Sequence, residues 1–306
     1  MPDSPRPVDA LPPEAALRAM LDGQQAALRV IEGALEQIAA ASDLMAKTLK
    51  GGGRVVYVAA GSSGLMALAD ACELPGTFGI DPAQLRLAMA GGIPTGPWMP
   101  GHTEDETDTS AVDDLSEDDL VIALSASGTT PQACALADAA QARGVTVVAL
   151  ACVAEAPLLK RADVAIALPT PAEVVEGSTR LGAGTAQKAA LNMLSTLAGI
   201  RLGHVHEGLM VNLRADNAKL RARATGIVAR LAATDCDTAA AALRATDGNT
   251  KAAVLVAEGH DPATAARLLH DNDHDLRRAL ASERAMGACN TKSLLSRPTI
   301  QQGETT

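Results

Sequence analysis

The stretch Arg54-Val-Val-Tyr-Val-Ala-Ala-Gly-Ser-Ser-Gly64 decides how this chain is built. Its first half is a short continuous apolar run, the pattern of a strand buried on both faces of a parallel sheet. Its second half is a Gly/Ser turn that runs into a helical pattern from Leu65 to Cys72. The same sentence is spelled again further on. Asp119-Leu-Val-Ile-Ala-Leu124 reads as a strand, Ser125-Ala-Ser-Gly-Thr-Thr-Pro131 as a polar turn, and Gln132 to Arg143 as a helix. Leu85 to Ala90, Val145 to Ala151 and Asp163 to Leu168 are further buried-strand candidates. Strands alternating with helices predict an α/β protein: a doubly wound αβα sandwich with a mostly parallel sheet and right-handed crossovers.

Outward from that core, residues 1–13 are Pro-rich and read as a flexible arm. From Glu14 to Lys50 the residues Leu17, Leu21, Leu28, Ile31, Leu35, Ile38 and Leu44 recur at helical spacing, which predicts one long or broken amphipathic helix. Such a stripe packs on its own domain or on a partner subunit. After Glu173 the pattern turns helical: Ala183 to Gly203 reads as a buried helix and Leu213 to Ala233 as a basic-faced one. From Asp235 to Leu280 three or four short helices are separated by Asp247-Gly-Asn249 and Gly259-His-Asp-Pro262, giving a small helical C-terminal subdomain. The expected division is an arm at 1–13, the sheet domain with its N-terminal helix at 14–233, the helical subdomain at 234–282 and a tail at 283–306.

Composition narrows the function. Of 306 residues 47% are hydrophobic, 63 of them alanine, with one Trp, one Tyr and one Phe. That content supports a packed core and excludes disorder. A formal charge of −10 and the scarcity of aromatic rings exclude a nucleic-acid binder, which needs cations and stacking platforms. There is no run of eighteen apolar residues and no basic-then-apolar leader, so neither a membrane span nor a signal peptide is expected. Cys72, Cys134, Cys152, Cys236 and Cys289 are scattered and read as reduced, mostly buried thiols of a cytoplasmic protein. His270 and His274 have the spacing of a metal pair but no third ligand nearby, and read as a solvated helix face.

The two strand-to-helix turns carry the functional signal. A helix N-terminus offers free N–H groups and the positive end of its dipole, Gly admits a close ligand, and Ser or Thr adds hydroxyls. One such turn would be an ordinary cap. Two matched turns at the carboxyl ends of parallel strands, with a third Gly/Thr-rich entry at Glu176 to Thr185, point to a phosphate monoester in the sheet's crevice. Neither turn is a Walker A or a dinucleotide motif. For acid and base chemistry the candidates are Glu73, placed at or near a helix exit by Pro75, and the acidic run His102-Thr-Glu-Asp-Glu-Thr-Asp108.

Taken together, Gly51 to Gly64, Asp70-Ala-Cys-Glu-Leu-Pro-Gly-Thr-Phe-Gly79, Ser125 to Pro131, Glu176-Gly-Ser-Thr-Arg180 and Ala183-Gly-Thr-Ala-Gln-Lys-Ala-Ala-Leu-Asn-Met-Leu-Ser-Thr196 resemble the N-acetylmuramic acid 6-phosphate etherases, a family with the SIS fold. The resemblance covers roughly residues 45–280. It implies a cytoplasmic homodimeric lyase that uses no metal or organic cofactor. Such an enzyme converts a phosphorylated amino sugar to N-acetylglucosamine 6-phosphate and D-lactate in cell-wall recycling. It implies Glu73 as proton donor to the leaving group and Glu104 as the second carboxylate, the C2 base. Gly61, Ser62, Ser63, Ser125, Ser127, Gly128 and Thr130 would hold the phosphate, with Ser178 and Thr179 as secondary candidates. The family pattern has cations where this chain has Leu65, Thr129 and Gly182. Two alternatives reuse the same site: a phosphosugar aldose–ketose isomerase, and a non-catalytic regulator that senses a sugar phosphate.

Overall fold

A computed structural model describes residues 7–99, 103 and 105–284. Glu104, Cys289 and most of the expected tail lie outside the described residues. The chain divides into two compact units, Met1–Leu202 and Gly203–Thr306.

The first unit is built on five parallel strands, β1 (Val55–Ala59), β2 (Leu85–Met89), β3 (Leu120–Ser125), β4 (Thr146–Ala151) and β5 (Val164–Ala167), in the order β2-β1-β3-β4-β5. Strands β1, β3 and β4 are buried almost throughout, as their unbroken apolar runs require; β2, at the sheet edge, is half-buried. Val56 and Val58 of β1, Val121 and Ala123 of β3, and Val147 and Ala149 of β4 pack on Ala133, Leu136, Ala137 and Ala140 of helix α4 (Pro131–Ala142). The alternate residues face the opposite layer. That layer is made by α1 (Pro13–Arg29), α2 (Leu35–Lys50), α3 (Gly61–Phe78) and α5 (Gly182–Arg201), all of which pack against α5 or the sheet. Alanine and glycine let these helices come close: a Cβ on Gly199 of α5 would sit 2.9 Å from the Phe78 ring of α3.

The N-terminal amphipathic stretch takes the broken form of the two expected, because a 3-10 turn over Val30–Ala34, holding Gly33, separates α1 from α2. Two expectations need correction. Helix α3 does not stop at Pro75 but runs on to Phe78. The proline forfeits one N–H, but the last turn is held by buried Leu74 and Phe78, and Gly79 closes it with its N–H on the Pro75 carbonyl. The cysteines are not mostly buried: Cys152 is, whereas Cys72 and Cys236 are exposed.

The second unit holds the short pair β6 (Val205–His206) and β7 (Leu209–Met210), followed by α6 (Ala218–Leu231), α7 (Cys236–Ala245), α8 (Thr250–Ala257) and α9 (Pro262–Asp271). Residues 276–284 are again helical. The basic-faced helix starts at Ala218 rather than Leu213, because the Asn217 side chain accepts from the Leu220 N–H and caps it there. The turns after α7 and α9 are copies of each other. Asp247 and Gly248 have positive φ in the first, Asp273 and His274 in the second. The following Asn249 and Asp275 then accept from the N–H groups of Ala252 and Arg278. Lys251 is buried in this core and donates to the His274 carbonyl at 2.7 Å.

Burial lowers the Lys251 ammonium to about 8, from 10.5. Between those values the unfolded chain binds more protons than the folded one, so stability rises as pH rises through that window. Thermal melts from pH 7.5 to 10 are expected to show this rise, and Lys251→Met is expected to flatten it.

Candidate functional site

Strand β1 leads to α3 on one side of the sheet and β3 leads to α4 on the other, so the chain reverses its direction of travel between these two neighbours. Their pairing, with Ala59 opposite Leu124, sets the two turns side by side at the carboxyl edge, where open α/β sheets bind ligands.

The first turn is Ala60-Gly61, and Gly61 has φ +51, a conformation that favours glycine. Helix α3 begins with no side-chain cap. Among the described residues the Ser62 and Ser63 N–H groups meet no acceptor, so the positive helix end is open. The Ser62 hydroxyl is 3.0 Å from the Thr179 hydroxyl. Ser63 is turned inward and donates to Gln187 Oε1 at 2.9 Å. The buried Nε2 of Gln187 has no hydrogen-bond partner among the described residues.

The second turn is a hydroxyl cluster around Ser125. Its Oγ lies 2.8 Å from Thr130 Oγ1 and 3.3 Å from Ser127 Oγ, and accepts from the Gly128 N–H. Ser125 is buried and organises the loop, while Ser127 and Thr129 are exposed and share a 2.9 Å hydrogen bond. Gly128 is required twice over: its φ is +67, and an added Cβ would stand 2.2 Å from that of Ala156.

The third entry behaves differently. The Glu173 carboxylate accepts from the N–H groups of Gly182 and Ala183 at 3.0 and 2.9 Å. The next two N–H groups, of Gly184 and Thr185, bond to the carbonyls of Thr179 and Leu181. All four first-turn donors of α5 are thus engaged within the protein, and this helix end has no N–H left for a ligand. Thr179 reaches the crevice through its contact with Ser62; no comparable side-chain contact to the crevice joins Ser178 to the others among the described residues.

Glu73 is exposed on α3, well away from its N-terminus. One turn before it, Asp70 is buried and accepts from Tyr57 Oη at 2.8 Å, Asn192 Nδ2 at 2.7 Å and Ser195 Oγ at 2.8 Å. Burial pushes Asp70 above the ordinary carboxylate range against the pull of these three donors, and the charge of Glu73 adds to the rise. The sequence reading passed over this network and over Gln187. Gln, Asn and Ser at 187, 192 and 195, in a helix rich in Ala and Leu, are the available signal. Glu173, treated there only as a boundary, is the cap of α5. Among the described residues no group of three or more His, Cys, Asp or Glu gathers as a metal site would, and no helix is long and apolar enough to cross a membrane.

A parallel sheet with an open helix end and a hydroxyl cluster at its reversal point defines a SIS-type protein, and the SIS domain family matches residues 96–197. Three relatives narrow this, each named N-acetylmuramic acid 6-phosphate etherase. The protein of Streptomyces avermitilis is 43% identical, covering 90% of this chain and 90% of the relative. That of Deinococcus radiodurans is 42% identical over 77% of this chain and 79% of its own. That of Mycolicibacterium smegmatis is 39% identical over 90% and 94%. The chain belongs to the N-acetylmuramic acid 6-phosphate etherase family.

Removing the internal cap tests the account of α5. Glu173→Ala is expected to cost about 1–2 kcal/mol. The melting temperature should fall by roughly 2–4 °C for each of these in a domain of this size. Glu173→Gln, which keeps one good acceptor, should fall between wild type and Ala in the same melt.

Proposed function

We propose that this chain is a carbon–oxygen lyase that cleaves the D-lactyl ether of N-acetylmuramic acid 6-phosphate, working as a cytoplasmic homodimer in the recycling of cell-wall amino sugars. The observation that carries the reading is the pairing of an uncapped helix end at Ser62 and Ser63 with the Ser125, Ser127 and Thr130 cluster on the neighbouring strand. These are neutral donors aimed at one crevice. They suit a phosphate on a chain whose net charge of −10 would otherwise repel it.

In the proposed reaction the sugar ring opens, and the C1 aldehyde makes the C2 proton acidic. Glu104 takes that proton. The electron pair forms the C2–C3 double bond as the C3–oxygen bond breaks, and Glu73 gives its proton to the departing lactyl oxygen. Water then adds at C3 and a proton returns to C2, so that one water is consumed and N-acetylglucosamine 6-phosphate and D-lactate are released. Ser127 and Thr130 present hydroxyls to the phosphate, joined by Ser62 and the N–H groups of the first turn of α3. Ser63, Ser125, Gly61 and Gly128 shape the two turns. Thr179, with Ser178 beside it, borders the crevice. Thr129, where the family pattern carries a cation, supplies a hydroxyl in its place.

The purified chain is expected to release D-lactate from this substrate. Glu73→Gln should lower that rate by about 10²–10⁴, yet in deuterated water it should still exchange the C2 hydrogen, because the base is intact. Glu104→Gln should lose both. A wild-type chain that releases no lactate at high concentration would overturn the reading.

A further inference from the structure

Resting on that reading, we infer that Arg180 and Lys188 form a second subsite, which takes the lactyl carboxylate of the substrate and so decides which phosphorylated sugar the chain cleaves. The starting point is a charge without a partner. The substrate carries two anions, the phosphate and the lactyl carboxylate, and the two turns supply neutral donors for the first. Where the family pattern has cations this chain has Leu65, Thr129 and Gly182, so a cation for the second anion has to come from elsewhere. Arg54, Arg86, Arg143, Arg161 and Arg201 of the first unit are already engaged, each held by an aspartate. The side chains of Arg180 and Lys188 meet no acceptor among the described residues, and both line one pocket.

That pocket adjoins the phosphate turn. Arg180 follows Thr179, whose hydroxyl lies 3.0 Å from that of Ser62. Gly184, also in the lining, donates its N–H to the Thr179 carbonyl at 2.8 Å. Met66 stands one turn beyond Ser62 on α3 and closes the pocket from that helix, while Lys188 stands one turn beyond Gly184 on α5. The cavity holds about 340 Å³, and beside the two cations it presents the apolar side chains of Met66 and Leu28. A lactyl group has the matching pair of features, a carboxylate for the cations and a methyl group for the apolar wall. The planar guanidinium of Arg180 suits both carboxylate oxygens at once, and Lys188 adds a point charge.

The reach agrees. A phosphate bonded to the first N–H groups of α3 lies roughly 3 Å ahead of them. Met66 is four residues beyond Ser62, about 6 Å along the helix axis, so the phosphate and the level of Met66 are about 9 Å apart. In the substrate, eight covalent bonds join phosphorus to the lactyl carboxyl carbon, which spans about 10 Å at full stretch. One molecule therefore reaches both subsites from a single phosphate position, with the C3–oxygen bond between them. A phosphosugar without the lactyl group, the product included, leaves the second subsite empty.

The kinetics of lactate release, with N-acetylglucosamine 6-phosphate added as a competing ligand, test this. Arg180→Gln and Lys188→Gln are each expected to raise KM for N-acetylmuramic acid 6-phosphate about 10-fold, the loss of one hydrogen bond to a charged group. The inhibition constant of N-acetylglucosamine 6-phosphate, which has the phosphate but no carboxylate, should stay at its wild-type value. Arg180→Lys, which keeps the charge, should recover part of the loss. Should one of the Gln variants melt early, the other carries the test. An unchanged KM in both variants overturns the inference while leaving the etherase reading in place. So does an equal rise in KM and in the inhibition constant, which would assign the two cations to the phosphate. A wild-type chain that releases no lactate overturns that reading and the inference with it.

Discussion

The in-register pairing of β1 with β3 is the constraint on which the rest of the molecule depends. Two strands that share one edge but send their helices to opposite faces must leave a crevice between their turns. Everything proposed for the phosphate is a consequence of what those two turns contain. The first offers a helix end that no side chain caps. The second offers hydroxyls that bond mainly to one another, with Ser125 at the hub and Ser127, Thr129 and Thr130 around it. A hydroxyl cluster satisfied by itself costs little without a ligand and can rotate its protons toward an anion when one arrives.

A second constraint fixes what lies behind the crevice. Asp70 is a buried carboxylate whose partners, Tyr57, Asn192 and Ser195, are all neutral donors, and they belong to β1 and α5. A buried charge with three hydrogen bonds and no cation is costly, and its retention sets the rotation and height of α3 against both neighbours. The glycine and alanine surfaces make that fit close, as Phe78 against Gly199 shows. Glu73, one turn beyond Asp70, inherits a defined position from a buried acid.

How much of this was legible in the sequence depends on whether a property is local. The strands announced themselves, because burial on both faces leaves an uninterrupted apolar run, and the two turns did so because Gly and Ser have few other reasons to follow a buried strand. The end of α3 was misread because Pro75 is a local breaker whose effect is overruled by nonlocal burial of Leu74 and Phe78. The third Gly/Thr-rich entry looked like a phosphate loop, and nothing near Gly182 in the sequence says that Glu173, nine residues earlier, fills its N–H groups. The Asp70 network joins residues 57, 70, 192 and 195, and only the packing of α3 on α5 brings them together. Glu104 lies outside the described residues, and its role rests on the family resemblance.

Distance along a helix separates what a motif contains from what a site contains. The turn at Gly61 to Gly64 and the Asp70 to Glu73 segment stand so close in sequence that both appear to belong to one active centre. In an extended or looped chain they could. In an α-helix each residue adds a fixed rise, so three turns separate them. The continuity of α3, secured through Pro75 by Leu74 and Phe78, therefore fixes where the Glu73 carboxylate stands relative to the Gly/Ser turn: on the exposed face of the helix, one turn beyond buried Asp70.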